Sequence, residues 1–344
     1  MYNRKRCLSF LFSALTSFGL ISCISSVNAS SIAQGQPFQD LQDQIDSLQA
    51  QVDALSGAPQ SISIDCTLGE TITGALASVA NPTAPVTITI SGTCNETVAI
   101  SRSNTTIQGQ SGSDTINGGI VVSGSGNSLR ISNLTVTGGG ITIFALAGGQ
   151  LSADNVTVNS TGLAVLASHT GYVEIADSTI TAAATAVFAN LTSQAVLRGT
   201  IVENSNIGIH VGLNSNIWIG PSAVNPGQVT VIRNNNQGSL VGMTGSLNLS
   251  GVTIENSTGN GILMQQGSSL DVISFFGGAN TITGNITGIL METNTNLTSN
   301  TNLFDITNNN TGVICIDESN ISLSTPINFS GNTVGDFTPN CPLP

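Results

Sequence analysis

The sequence predicts an all-β fold: a parallel β-solenoid of about ten to eleven turns, wound by a single chain and preceded by one short helix. Three observations predict it. First, apolar–outward–apolar triplets recur at a constant interval. Leu129-Arg130-Ile131, Leu151-Ser152-Ala153, Val173-Glu174-Ile175, Ala195-Val196-Leu197 and Ile217-Trp218-Ile219 have centres 22 residues apart. The series continues through Leu247-Asn248-Leu249, Leu270-Asp271-Val272, Leu297-Thr298-Ser299 and Ile321-Ser322-Leu323 at steps of 30, 23, 27 and 24. Second, each early triplet is followed by another short strand, Thr135-Val136-Thr137, Thr157-Val158-Asn159 or Thr179-Ile180-Thr181. Third, a Gly-led strand closes the unit, as in Gly140-Ile141, Gly162-Leu163, Gly208-Ile209, Gly261-Ile262, Gly288-Ile289 and Gly312-Val313. Three short strands cannot bury a core alone. Stacked turn on turn about 4.8 Å apart, they align columns such as Val136, Val158, Ile180 and Val202 inside the coil.

In chain order, residues 1–29 come first and read as an export signal. Arg4-Lys5-Arg6 is the positive segment, Cys7 to Ile24 the apolar run and Val27-Asn28-Ala29 a small-residue cleavage site. The rival is Leu20-Ile21-Ser22-Cys23, which resembles the lipobox of bacterial lipoproteins and would make Cys23 a lipidated N-terminus. An uncleaved membrane helix is a third outcome. Residues 30–59 form a helix and linker. Phe38, Leu41, Ile45, Leu48, Val52 and Leu55 are spaced 3, 4, 3, 4, 3, a heptad pattern with Ile/Val alternating with Leu, and Gly57-Ala58-Pro59 ends it. Residues 38–55 are therefore expected either to self-associate, giving a homo-oligomer, or to fold back as a lid. Residues 60–344 are the solenoid. Thr71 to Ala80 reads as a short capping helix at its front, and Pro339-Asn340-Cys341-Pro342 closes the back.

Composition narrows the function. The chain has 344 residues, 8% of them charged, with seven Lys and Arg against 19 Asp and Glu. Three of the seven cations are residues 4–6, so the mature chain keeps four Arg against 19 carboxylates, a formal charge of −15. Such a surface cannot neutralise phosphates, which excludes nucleic acid and docking on an anionic membrane and leaves the N-terminal segment, chiefly through lipid on Cys23, as the expected route to a membrane. No cofactor or metal is expected, because two His and four mature Cys offer no Cys-x-x-Cys spacing. The Cys fall into local couples, Cys66 with Cys94 and Cys315 with Cys341. On a rod roughly 50 Å long only local pairing closes, and staples at both ends fit an oxidising compartment. Asn at the turns (Asn204, Asn234, Asn256, Asn285 and Asn308) is expected to take left-handed backbone.

These residues resemble the right-handed parallel β-helix, or pectin-lyase-like, superfamily over roughly residues 62–335. Glu70-Thr71-Ile72 through Gly92-Thr93-Cys94-Asn95-Glu96 looks like its capping helix and "G-T-Y-x-E" strand, with Cys94 in place of the aromatic. Ile201-Val202-Glu203-Asn204-Ser205-Asn206-Ile207-Gly208-Ile209 looks like the repeats of sugar-binding proteins and sugar hydrolases. The family's catalytic motifs are not matched: there is no N-T-D, D-D, G-H-G or R-I-K, and no lyase or methylesterase signature. Catalytic residues are thus not assignable.

The resemblance implies an exported, extracellular or cell-surface protein, or a periplasmic one. Its expected role is non-catalytic: binding polysaccharide or a host or cell-surface glycan, or serving as an adhesin-like rod. A diverged polysaccharide lyase or glycoside hydrolase is the alternative, and a structural spacer the second. Candidate ligand-binding residues lie on the outward column of the triplets. Trp218, with Glu174, Asn248 and Asp271 on the same column and Tyr172 beside it, offers the aromatic, carboxylate and amide groups that sugar binding uses. The opposing reading buries Trp218 under the insertion Gly220 to Gln228. His210 sits in a column with apolar counterparts (Thr142, Ala164, Val187, Leu263, Leu290 and Ile314), so either that face is covered or the inward–outward phase slips there.

Overall fold

The computed structural model describes residues 36–181, 184–225, 227–274 and 278–341. The export signal, Cys23, Pro342 and Phe275-Phe276-Gly277 lie outside the described residues. Two units are present, Met1–Asp53 and Ala54–Pro344. Helix α1 (Gln36–Ser56) stops where Gly57 turns left-handed at φ 67°, a conformation that ends helices at little steric cost to glycine. Of the heptad positions, Leu41, Ile45, Leu48 and Val52 are exposed; the side chains of Phe38 and Leu55 lie outside the described set.

The second unit is a parallel β-solenoid of about twelve turns. Every strand pairs in parallel with its counterpart one turn away, in three ladders. The first ladder has twelve rungs, from Gln60–Asp65 to Asn320–Leu323. The second and third have eleven each. The first two join into a single 21-stranded sheet because the strands Ser128–Gly138 and Gln150–Ser160 run through both without a break. The registers are those that a 22-residue period demands: Val136 pairs with Val158, Val158 with Ile180 and Ile180 with Val202. All four are fully buried, and the core is a set of such columns of Ile, Val, Leu and Ala. Period 22 follows from this stacking, since each rung must place the same class of side chain above its predecessor.

Three details differ from expectation. The Gly-led strands are not all in phase: Leu163 pairs with Ile141, but the residues level with Ile209 are Val187, Val165 and Ile143. Gly140 and Gly162 therefore sit two residues ahead of Gly208. The same offset corrects the neighbours of His210. Thr142, Ala164 and Val187 face inward and are fully buried, while Val121, Phe144, Leu166 and Phe188 precede His210 on its own column. Beyond it come Leu240, Leu263, Leu290 and Ile314. His210 points outward and its ring stacks on Phe188 at 4.2 Å. Finally, Asn204, Asn234, Asn256 and Asn308 are left-handed as expected, but at the fourth such corner Gly284 (φ 69°) takes that place. Asn285 is one residue further on, buried.

Asn285 belongs to an internal polar ladder. Asn309 Oδ1 accepts from both the backbone N–H and the side-chain amide of Asn285, at 3.0 and 3.1 Å, and Asn309 Nδ2 donates to the Ile282 carbonyl at 3.0 Å. Asn235 caps Ser205 N–H and Asn285 caps Ser257 N–H in the same manner, each at 2.9 Å. These amides satisfy corner backbone groups that no water reaches.

Both ends are stapled. Cys66–Cys94 and Cys315–Cys341 are disulfides spanning 28 and 26 residues, loops whose closure removes about 3 kcal/mol of unfolded-chain entropy each. Disulfides of this kind belong to oxidising compartments. At the front, α2 (Ile72–Ser78) covers the first turn. Its N-cap is Thr71, and the Glu96 carboxylate accepts from the Ile72 N–H at 2.5 Å and the Thr73 N–H at 3.1 Å. The acid of the Gly92 to Glu96 stretch thus holds the capping helix by its unpaired N–H groups.

Candidate functional site

The triplet centres do form one outward column on the first ladder. Arg130, Ser152, Glu174, Val196 and Trp218 occupy successive rungs, followed by Asn248, Asp271 and Thr298. Alternation places them there, because their apolar neighbours on each strand are buried.

The structure gathers some of the candidates and separates others. Tyr172 and Glu174 meet: they are two apart on the strand Tyr172–Ala176, hence on the same face, and the phenol donates to Glu174 Oε2 at 3.3 Å. They line a groove of about 490 Å³ with Arg130, Gln150, Ser152, Ser128, Thr106 and Asn104. Burial first, and then the adjacent Glu174 carboxylate, hold the Tyr172 phenol above its ordinary pKa, so it stays a neutral hydrogen-bond donor. Trp218 lies two rungs past Glu174, about 10 Å along the axis, and Asp271 four rungs past, about 19 Å. Asn248 donates to Ser246 Oγ at 3.5 Å, and Asp271 accepts a hydrogen bond from the Thr298 hydroxyl.

Two arginines complete the site: Arg130, which stands on the outward column itself, and Arg198, which the sequence pattern does not place there. Arg198 donates to Glu174 Oε1 at 3.1 Å while its guanidinium sits 4.8 Å from the centre of the Trp218 ring. It therefore bridges the groove to the tryptophan. Arg130 pairs with Asp154 at 3.3 Å, with 61% and 40% of their side chains exposed. A pair so open to water contributes about 0–1 kcal/mol, so Arg130 can leave Asp154 for a ligand oxygen at little cost. Only the diagonal register reveals these links: Arg198 is level with Ala176, two residues beyond the rung partner of Glu174.

Trp218 is half-buried. Its ring lies against Gly220, where a Cβ would come within 2.6 Å of it, and the insertion starts there. That loop is held to earlier corners: Ser222 Oγ donates to Asp177 at 3.1 Å, and Gln228 Nε2 to the Gly199 carbonyl at 2.6 Å. The ring thus supports Arg198 and offers solvent only part of its surface. Chemically, the groove provides a neutral phenol, a mobile guanidinium, hydroxyls and amides along an axis with a 4.8 Å repeat. Donors and acceptors of this kind are groups that can hydrogen-bond to the hydroxyls of a small polar ligand. His169 is a turn residue at φ 49°.

No protein-family model and no curated protein matches the sequence. Two solved structures are similar. One is the A-module of mannuronan C-5 epimerase AlgE4 of Azotobacter vinelandii, 12% identical, with a TM-score of 0.44 over 86% of this chain and 93% of that one. The other is the A-module of AlgE6 from the same organism, 12% identical, with a TM-score of 0.42 over 78% and 96%. Likeness at this level carries no argument about what the groove binds.

Proposed function

We propose that this is an exported carbohydrate-binding protein of the pectin-lyase-like β-helix type. In this reading it holds a polysaccharide or a cell-surface glycan in the groove of Arg130, Tyr172 and Glu174 and does not cleave it. The observation that carries the reading is the groove's composition. Glu174 is held by Tyr172 and Arg198, and the remaining lining joins hydroxyls, amides and one loosely held arginine to the apolar Pro85, Leu129 and Leu151. Arg130, Ser152 and Glu174 present polar groups on three successive rungs about 4.8 Å apart, so an extended chain lying along the axis meets a polar side chain on each of those three. With 19 carboxylates and four mature arginines, the rod repels polyanions, and the ligand is a neutral glycan in preference to a uronate polymer.

One observation favours the enzymatic alternative. Asp154 and Glu174 stand on adjacent rungs, offset by two residues, which puts their Cα atoms about 8 Å apart with both residues on one outward face. Each, however, already holds an arginine. Incubation with a panel of neutral and acidic oligosaccharides distinguishes the readings. Retention of neutral chains, with no new reducing ends and no ultraviolet-absorbing unsaturated product, is expected. Turnover that disappears in Glu174→Gln overturns the binding reading, and retention of none of the panel leaves only the spacer.

A further inference from the structure

The third ladder carries a feature that the groove does not use. Its outward column from Val121 to Ile314 is apolar on every rung but the one of His210, over nine consecutive rungs. The nine strands that bear it, from Ile120–Ser123 to Thr311–Cys315, contain no Asp, Glu, Lys or Arg, in a chain of net charge −12. Beside the column, Ile141 is 41% exposed, and Leu163 and Ile207 are half-buried. Apolar runs of this extent on a soluble surface mark a contact.

We propose that this face docks against the same face of a second copy of the chain, giving a dimer closed by sheet-on-sheet packing. Three properties of the face select a second copy. An acidic rod repels its own kind everywhere that carboxylates project, and this strip is where two copies meet without opposing like charges. Two copies share one rung spacing, so side chains of one column fit between those of the other across the ~10 Å that separates packed sheets. Eight rung steps by one five-residue strand give about 600 Å² per copy, or about 1,200 Å² in all, the lower end of the range for a specific interface.

His210 occupies the fifth of the nine rungs. In a two-fold interface with full overlap the middle rung meets itself, whether the axes run parallel or antiparallel. The imidazoles of the two copies therefore face each other, with Phe188 and Leu240 on the flanking rungs and no other titratable group on those strands. Burial holds His210 below its ordinary value, so the rings are neutral near pH 7 and both become cationic as the pH falls.

The test is sedimentation of the full chain carrying Leu41→Asp and Leu48→Asp, which removes any contribution of α1 to association. Mass at twice that of the chain is expected at pH 7, with dissociation on acidification below the ordinary imidazole range that His210→Phe abolishes. Adding Leu166→Glu and Phe188→Glu is expected to weaken dimerisation at least about tenfold while the far-ultraviolet β spectrum persists. Either charged residue alone, tested separately, guards against a double variant that fails to fold. A monomer at every concentration, a dimer indifferent to the outward glutamates, or one equally tight before and after acidification overturns the proposal.

Discussion

Asn309→Ala is expected to destabilise the solenoid by about 3 kcal/mol, although it removes no apolar contact of the core columns. The substitution strands two buried backbone groups at once, the Asn285 N–H and the Ile282 carbonyl, and leaves the Asn285 side-chain amide without one of its acceptors. Each stranded buried group costs roughly 1–3 kcal/mol, and water does not reach the corner to replace the lost amide. Asn308 is the internal control. It is adjacent in sequence but exposed, at φ 55°, so Asn308→Ala loses the tolerance of asparagine for left-handed backbone and costs about 1 kcal/mol. Chemical unfolding followed by circular dichroism measures both. Equal losses for the two variants would show that the internal ladder is no more than turn chemistry.

Gly288→Ala is the second large effect. Its φ is ordinary; what fixes glycine there is the next rung. An added Cβ would lie 2.5 Å from the Gly312 carbonyl oxygen and 2.8 Å from Ile306 Cγ2. The first contact is backbone within a parallel ladder and cannot yield without spreading two rungs, so a loss of about 2–3 kcal/mol is expected. Gly208, Gly238, Gly261 and Gly312 face the same obstacle one rung on, each with a carbonyl oxygen within 2.4 to 2.7 Å. Gly140, which would meet nothing within 4 Å, is expected to accept alanine with no loss or a small gain. Paired unfolding curves of Gly288→Ala and Gly140→Ala read the difference directly.

What was legible in the sequence is what stacking enforces. The triplets at 130, 152, 174, 196 and 218 had to repeat because each sits on the last, and the register confirms them residue for residue. Illegible features are those in which two chemistries serve one place. Gly284 replaces asparagine at a left-handed corner and so hides the true role of Asn285. The Gly-led strands shift by two residues between Gly162 and Gly208, yet close approach demands glycine at both: an added Cβ would lie 2.3 Å from the Gly140 carbonyl oxygen at Gly162 and 2.5 Å from the Gly238 carbonyl oxygen at Gly208, so glycine alone does not mark the register. The site was half legible for a related reason. Tyr172 and Glu174 lie on one strand and share its alternation, whereas Arg198 reaches Glu174 diagonally across rungs, a relation that no period displays. Trp218 was visible as the lone tryptophan, but its packing on Gly220 depends on where an insertion leaves the strand.

The groove reading is tested most directly by calorimetric titration of a neutral oligosaccharide retained from the panel, using the unmodified chain, Tyr172→Ala and Trp218→Ala. The account predicts a loss of affinity of about tenfold or more for Tyr172→Ala, equivalent to ~1.4 kcal/mol, and a smaller loss for Trp218→Ala, whose ring acts through Arg198. Affinity unchanged in Tyr172→Ala, or heat that continues after saturation as product accumulates, would contradict it.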